Sequence, residues 1–302
     1  MNMATAIETA SETVSESVDR PIRVTFSSIL LALGALLFAV PTMVFVISEA
    51  WSGEEGAHGP IILLTGLWLL WREWPEARSV ARAPSLAKVW ALLAIFLPLY
   101  VAARVTQIVE IEGYVMYASL LAVLYSMIGG RSMGLLWFPL FYLVYIFPPP
   151  ETIVAAVTTP LKMELSQVSV SFLRLLGYPI GAEGVRIYIA QYELLVAAAC
   201  SGLNSIISLT AISLFYIYVR HRADWRYAAF LVLLILPVAL LANFFRVIIL
   251  ILLTYHFGEA AAQGFLHNFA GLVMFAIALI SIFGLDELLR PIWHRWVVRD
   301  NG

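Results

Sequence analysis

Residues 227–250 read YAAFLVLLILPVALLANFFRVIIL, a run whose only charge is Arg246. A helix needs about 20 apolar residues to cross the hydrocarbon core of a bilayer, so this stretch is long enough to span one. Working outward in both directions, comparable runs occupy residues 29–47, 58–71, 89–105, 114–128, 132–147, 201–219 and 267–285. The chain is therefore expected to be an all-α polytopic membrane protein with about eight transmembrane helices. Composition points the same way. Of 302 residues, 62% are hydrophobic and 13% charged, against roughly 25% charged in soluble domains. The long continuous runs exclude an outer-membrane barrel, which needs short alternating strands.

Several function classes fall to simple counts. A net charge of −2 with no basic stripe argues against nucleic-acid binding. One Cys permits neither an internal disulfide nor a thiolate cluster. The five His are scattered without ligand spacing, so no metal site is expected. No phosphate-binding loop or dinucleotide glycine pattern is present, and no cofactor is expected.

Basic residues set the orientation, because they concentrate in cytoplasmic loops. With the N-terminus inside, 13 of the 18 Lys and Arg fall on the cytoplasmic side, among them Arg72, Arg78, Arg82, Lys88, Arg131, Arg220, Arg222 and Arg226. Glu49, Glu54, Glu55, Glu110, Glu112, Glu151 and Glu259 fall on the other side. The reading is N-in and C-in. Residues 1–26 are read as a disordered cytoplasmic tail, 27–288 as one integral membrane domain, and 289–302 as a basic cytoplasmic tail.

One stretch departs from a simple span. After Pro148-Pro149-Pro150, the residues Leu161, Leu165, Val168, Phe172 and Leu176 recur at helical spacing, which predicts an amphipathic helix on the outer face. Gly177–Gly184 reads as turn-rich. Val185–Ile189 and Tyr192–Val196 then read as a short β-hairpin turning at Ala190-Gln191 and leading to Cys200.

Three polar features stand at the outer ends of the last three spans: Cys200, Arg246 and His267. The span at 201–219 runs inward from Cys200, the next runs outward to Arg246, and the last runs inward from His267, so the three share one depth. Each also has an ordinary explanation. A lone Cys commonly packs as a small hydrophobe, an Arg can snorkel from a helix end, and a His can sit at the interface. An arginine inside a span costs about 2.5–3.5 kcal/mol on insertion scales, which favours a functional role for Arg246. Together the three supply a nucleophile, a fixed positive charge for an oxyanion and a proton shuttle, the set that acyl transfer through a thioester requires.

The run Glu193-Leu194-Leu195-Val196-Ala197-Ala198-Ala199-Cys200-Ser201-Gly202-Leu203 resembles the nucleophile motif of the exosortases, bacterial relatives of the archaeosortases. Asn243-x-x-Arg246 and His267 match that family's other two motifs in order and approximate spacing. His58-Gly59-Pro60 followed by Leu69-Leu70-Trp71 resembles its His-Gly segment, and Pro139 through Pro150 its proline-bounded fifth span. The alanines at 197–199 depart from the commoner acidic residue before the Cys.

The resemblance implies a membrane cysteine protease or transpeptidase of the bacterial inner membrane. Its partners would be exported proteins with a tripartite C-terminal sorting tail of the PEP-CTERM type: a short motif, a transmembrane helix and a basic cluster. Cys200 would attack the peptide carbonyl, Arg246 would stabilise the oxyanion and His267 would move protons. Asn243, Asn268 and Ser201 are supporting candidates, with Asn243 one turn from Arg246 and placed to orient it. His58, Tyr188 and Tyr192 are candidate substrate contacts. Beyond the tailed protein, the other expected partner is membrane lipid. The alternative reading is a multipass transporter in which Arg246 binds an anionic substrate. Transporters often carry paired repeats, and this chain shows none.

Overall fold

The computed structural model describes residues 26–49, 51, 58–82, 84–184, 186–195, 205–258 and 265–300. The N-terminal tail expected at residues 1–26 lies almost entirely outside the described residues. In chain order the elements are α1 (Phe26–Glu49), α2 (Gly59–Ser79), α3 (Leu86–Thr106), α4 (Val109–Leu135), α5 (Trp137–Leu143) and a 3-10 turn (Val144–Ile146). Then come α6 (Glu151–Leu175), β1 (Ile180–Glu183), β2 (Arg186–Ile189), β3 (Tyr192–Leu195), α7 (Ser205–His221), α8 (Trp225–Phe257) and α9 (Phe265–Asp300). The last helix thus continues through the stretch read as a basic tail.

Among the described residues, five helical segments are long and apolar enough to cross a bilayer: Ile29–Glu49, Leu86–Thr106, Glu110–Leu135, Trp225–Phe257 and Leu272–Trp293. Trp137–Ile146 and Ile206–His221 are shorter apolar helices. The run at 132–147, expected as one span, is divided. Its first residues belong to α4, which ends at Leu135, and the rest forms α5 and the 3-10 turn. Pro139 explains the break. It has no N–H to bond the Leu135 carbonyl, and it is tolerated only in the first turn of the helix that follows.

The chain divides into two compact units, Met1–Phe147 and Pro148–Gly302. In the first, α3 and α4 form a helical hairpin, with Gln107 in the left-handed conformation (φ 54°) closing α3. A buried polar cluster ties α1 to that hairpin. Glu112, 1% exposed, accepts from Arg104 Nη1 at 2.6 Å and from Thr42 Oγ1 at 2.7 Å, and Thr42 meets Tyr100 Oη at 2.9 Å. Elsewhere in this unit the Ser132 hydroxyl donates to the Ala77 carbonyl at 2.7 Å. Gly129 breaks α4 with φ 76° and ψ 172°. A side chain there would overlap the Arg82 carbonyl oxygen, so the position demands glycine on both counts.

The second unit holds a three-stranded antiparallel sheet, ordered β1-β2-β3, against α6 and α8. The expected hairpin is present as β2 and β3, with Ile189 opposite Tyr192 and Ile187 opposite Leu194. The turn-rich reading of 177–184 is corrected, because β1 forms within it and pairs Ile180 with Ile189 and Ala182 with Ile187. Strand alternation sends Ile187, Ile189 and Leu194 to one face, where they bury against Val170 and Leu173 of α6 and Val247, Ile248 and Ile251 of α8. A fully buried Ile is worth roughly 1.5–3 kcal/mol, so this small sheet is firmly anchored. Arg186, Tyr188 and Glu193 occupy the opposite, exposed face.

The amphipathic stripe of α6 is also corrected. Leu161 and Leu165 do pack against the sheet cluster, but the buried face continues through Ser166, Ser169, Val170 and Leu173. Val168, Phe172 and Leu176 are exposed instead. The exposed side of α6 mixes Glu164, Gln167 and Arg174 with apolar side chains, and Ser166 and Ser169 are buried beside Val170 and Leu173.

Candidate active site

The inward face of α8 is written in steps of four. Tyr227, Leu231, Ile235, Ala239, Asn243 and Val247 are all buried, with Arg246 beside the last of them. Leu233, Leu236, Leu241 and Phe245 on the other side are exposed, as a lipid-facing surface would be. Arg246 is 7% exposed and Asn243 5% exposed, so a guanidinium and a carboxamide share the inner seam of an otherwise apolar helix.

Three helices pack together here. Leu209 of α7, Ala239 of α8 and Ala278 of α9 belong to one buried cluster, as do Ile217, Leu231 and Ile282 nearer the other end. The chain reverses between α7 and α8 through Arg222–Asp224, where Asp224 caps α8 by accepting from the Tyr227 N–H at 3.0 Å. The beginning of α7, the second half of α8 and the beginning of α9 therefore lie towards one end of this bundle. Ile206, in the first turn of α7, packs against both this cluster and the sheet cluster.

The sheet reaches the same region. Leu194 of β3 shares a cluster with Val247 and Ile248, the two residues that follow Arg246 on α8. The strand ends at Leu195, five positions before Cys200. Cys200 and Ser201 lie outside the described residues. His267 and Asn268 fall in the first turn of α9, and their side chains lie outside what is described.

The remaining candidates separate. Tyr188 is 37% exposed on the outer face of the sheet, beside the Arg186–Glu193 ion pair at 2.7 Å. The Glu193 carboxylate raises the Arg186 guanidinium further above its ordinary pKa. Tyr192 is on the inner face, packed on the sheet cluster. The two tyrosines thus point to opposite sides of the strands. His58 belongs to the first unit, where it is 9% exposed at the start of α2 and hydrogen-bonded to the Tyr145 backbone.

Asn243 is unusual in its bonding. Its Oδ1 and Nδ2 are both buried, and neither finds a hydrogen-bond partner among the described residues. Leaving a buried polar group unsatisfied costs about 1–3 kcal/mol. Two further polar clusters escaped the sequence reading. One is Glu112 with Arg104 and Thr42; the other is Asp286 with Tyr216, His221 and Tyr227, at the opposite end of the α7–α9 bundle from Arg246. The signal for each was a carboxylate inside an apolar run. Among the described residues, no group of three or more His, Cys, Asp or Glu side chains is arranged to hold a metal ion.

Comparison with known proteins gives one result. The family model described as transmembrane exosortase matches residues 50–284. Neither the curated proteins nor the solved structures yielded a match. The matched stretch takes in the Cys200 motif, the Asn243–Arg246 turn and His267, and it covers well over half of the chain. This helical membrane chain belongs to the transmembrane exosortase family.

Proposed function

We propose that the protein is a cysteine protease or transpeptidase of the bacterial inner membrane that removes the C-terminal sorting tail of exported proteins. It crosses the membrane about eight times with both ends in the cytoplasm, and its site faces the periplasm. The tail is of the PEP-CTERM type. It places its cleavage point at the membrane surface because its own helix inserts just beyond.

The Cys200 thiolate attacks the scissile carbonyl, and the carbonyl oxygen becomes an oxyanion. Arg246 stabilises that charge from a water-poor seam, where a fixed cation acts far more strongly than in water. His267 takes the thiol proton and passes it to the departing amine as the C–N bond breaks. The thioester left on Cys200 is then resolved by water or by another amine. Arg246 carries the reading: a 7% exposed guanidinium within a lipid-length helix, next in sequence to Val247 and Ile248, which pack on the sheet whose last strand ends five positions before Cys200.

The test is co-expression with a tailed substrate. Wild type should shorten it, Cys200→Ala should leave it intact, and a slow substrate should leave a thioester adduct at Cys200. Processing that continues unchanged in Cys200→Ala would overturn the assignment.

A further inference from the structure

The buried stripe of α8 offers four apolar or aromatic positions, Tyr227, Leu231, Ile235 and Ala239, and then breaks twice, at Asn243 and at Arg246. Arg246 has a task in the proposed reaction; Asn243 has so far been given only the supporting one of orienting it. Its carboxamide is 5% exposed, and both of its polar atoms are buried without a hydrogen-bond partner among the described residues. Native proteins rarely keep such a group without a use for it. A leucine would fill the same seam with apolar atoms alone, in keeping with Ile235 and Leu231 two and three turns below.

What the orphan lacks defines what it can bind. A carboxamide presents two N–H donors and one carbonyl acceptor. A peptide group presents the matching pair, one carbonyl acceptor and one N–H donor. A chain held extended against a buried seam needs such partners, because it has no helix of its own to satisfy the backbone groups that turn away from water. The Asn243 amide is neutral and therefore suits a neutral backbone group; the anion is left to Arg246. It sits three residues before Arg246, one helical turn along the same face, and so about 4.5 Å along the axis. That spacing falls between one and two residues of an extended chain, which rises roughly 3.3 Å per residue. Two side chains at that spacing can reach neighbouring peptide groups of one extended chain running along the helix.

We infer that the Asn243 carboxamide is a substrate-binding group, hydrogen-bonding a backbone peptide group of the bound tail next to the carbonyl that Arg246 faces. This rests on the sorting-peptidase reading and adds a contact to it. Asn243 recognises main chain, so it sets the register of the tail in the site without reading its side chains.

The experiment compares wild type with Asn243→Leu and Asn243→Gln, in detergent or in membranes, on a tailed peptide. A second peptide replaces the amide beside the scissile bond with an ester, which deletes one backbone N–H. Asn243→Leu should keep its melting temperature or gain, since it removes two buried polar atoms that have no partner among the described residues. Its Cys200 should react with a small neutral maleimide at the wild-type rate. Its kcat/KM on the amide peptide should fall roughly 10- to 100-fold, as expected when a buried hydrogen bond to substrate is lost. Asn243→Gln should recover part of that loss. The ester should slow wild type but make little further difference in Asn243→Leu.

Equal kcat/KM in wild type and Asn243→Leu would overturn the inference, and so would a maleimide rate that falls by the same factor as kcat/KM. Ester and leucine effects that simply multiply would also overturn it. A wild-type protein that cleaves no tailed substrate would instead sink the sorting reading, so the two failures are told apart.

Discussion

His221 Nε2 lies 2.8 Å from Asp286 Oδ2, tying the end of α7 to α9 across 65 positions of sequence. The same carboxylate accepts from Tyr216 Oη at 2.5 Å and from Tyr227 Oη at 2.9 Å. Asp286 is 0% exposed, so α7, α8 and α9 are joined by one buried acceptor. These helices carry Arg246 and, in the first turn of α9, His267. Asp286→Ala strands three polar groups at once and should lower stability by about 2–4 kcal/mol, read by denaturation in detergent. Asp286→Asn, which can still accept and donate, should lose less. Equal stability of Asp286→Ala and wild type would show that the cluster does not hold the bundle.

The break at Gly129 gives a second prediction. Positive φ and the nearby Arg82 carbonyl together make Gly129→Ala unfavourable, by more than about 1 kcal/mol. Gly134, in the same helix, has no atom within 4 Å of where a Cβ would go. Gly134→Ala should therefore be neutral or stabilise by up to about 1 kcal/mol, the helix-propensity gain. Matched melting curves of the two variants decide it, and equal shifts would contradict the geometry.

Much of this protein can be read from its residues, for identifiable reasons. The long apolar runs announce helices because a bilayer leaves the backbone no other partner. The β2–β3 hairpin is visible because β-branched and aromatic residues flank Ala190-Gln191. The strand β1 is hidden because Ile180-Gly181-Ala182-Glu183 lacks alternation and forms only by pairing with β2. The buried face of α6 is hidden because apolar residues occur on both sides of the helix, as Val168 and Val170 show, and only packing on the sheet decides that Val170 and Leu173 are the buried ones. Arg246 stands out as a lone charge in an apolar run. That Asn243 finds no partner among the described residues is invisible in sequence, because it depends on what the helices packed around it offer.

The two faces of the sheet separate stability from recognition. Ile187 is 0% exposed at the centre of the cluster that packs on α8. Ile187→Ala should cost about 2–5 kcal/mol and should weaken turnover, because the strand paired with it leads on to Cys200. Tyr188, one residue later, is exposed on the other face, and Tyr188→Ala should change stability by under about 0.5 kcal/mol. A large fall in kcat/KM for Tyr188→Ala at unchanged melting temperature would place substrate on the outer face. Unchanged kcat/KM would remove Tyr188 from the site.

The sharpest test of the proposed chemistry is Arg246→Lys. Both side chains carry one positive charge, so a role limited to neutralising an anion would survive the exchange. An oxyanion role depends on the planar guanidinium fork reaching the oxygen with fixed N–H donors, which lysine cannot reproduce. Losing one such donor in an acyl-transfer site typically costs about 10²–10³ in kcat. Because lysine retains the charge, Arg246→Lys should lose roughly 10- to 100-fold in kcat, with KM changed little and membrane insertion intact. Arg246→Leu should lose more. If Arg246→Lys instead raises KM at constant kcat, the arginine binds a charged group in the ground state, and its assignment to the oxyanion fails.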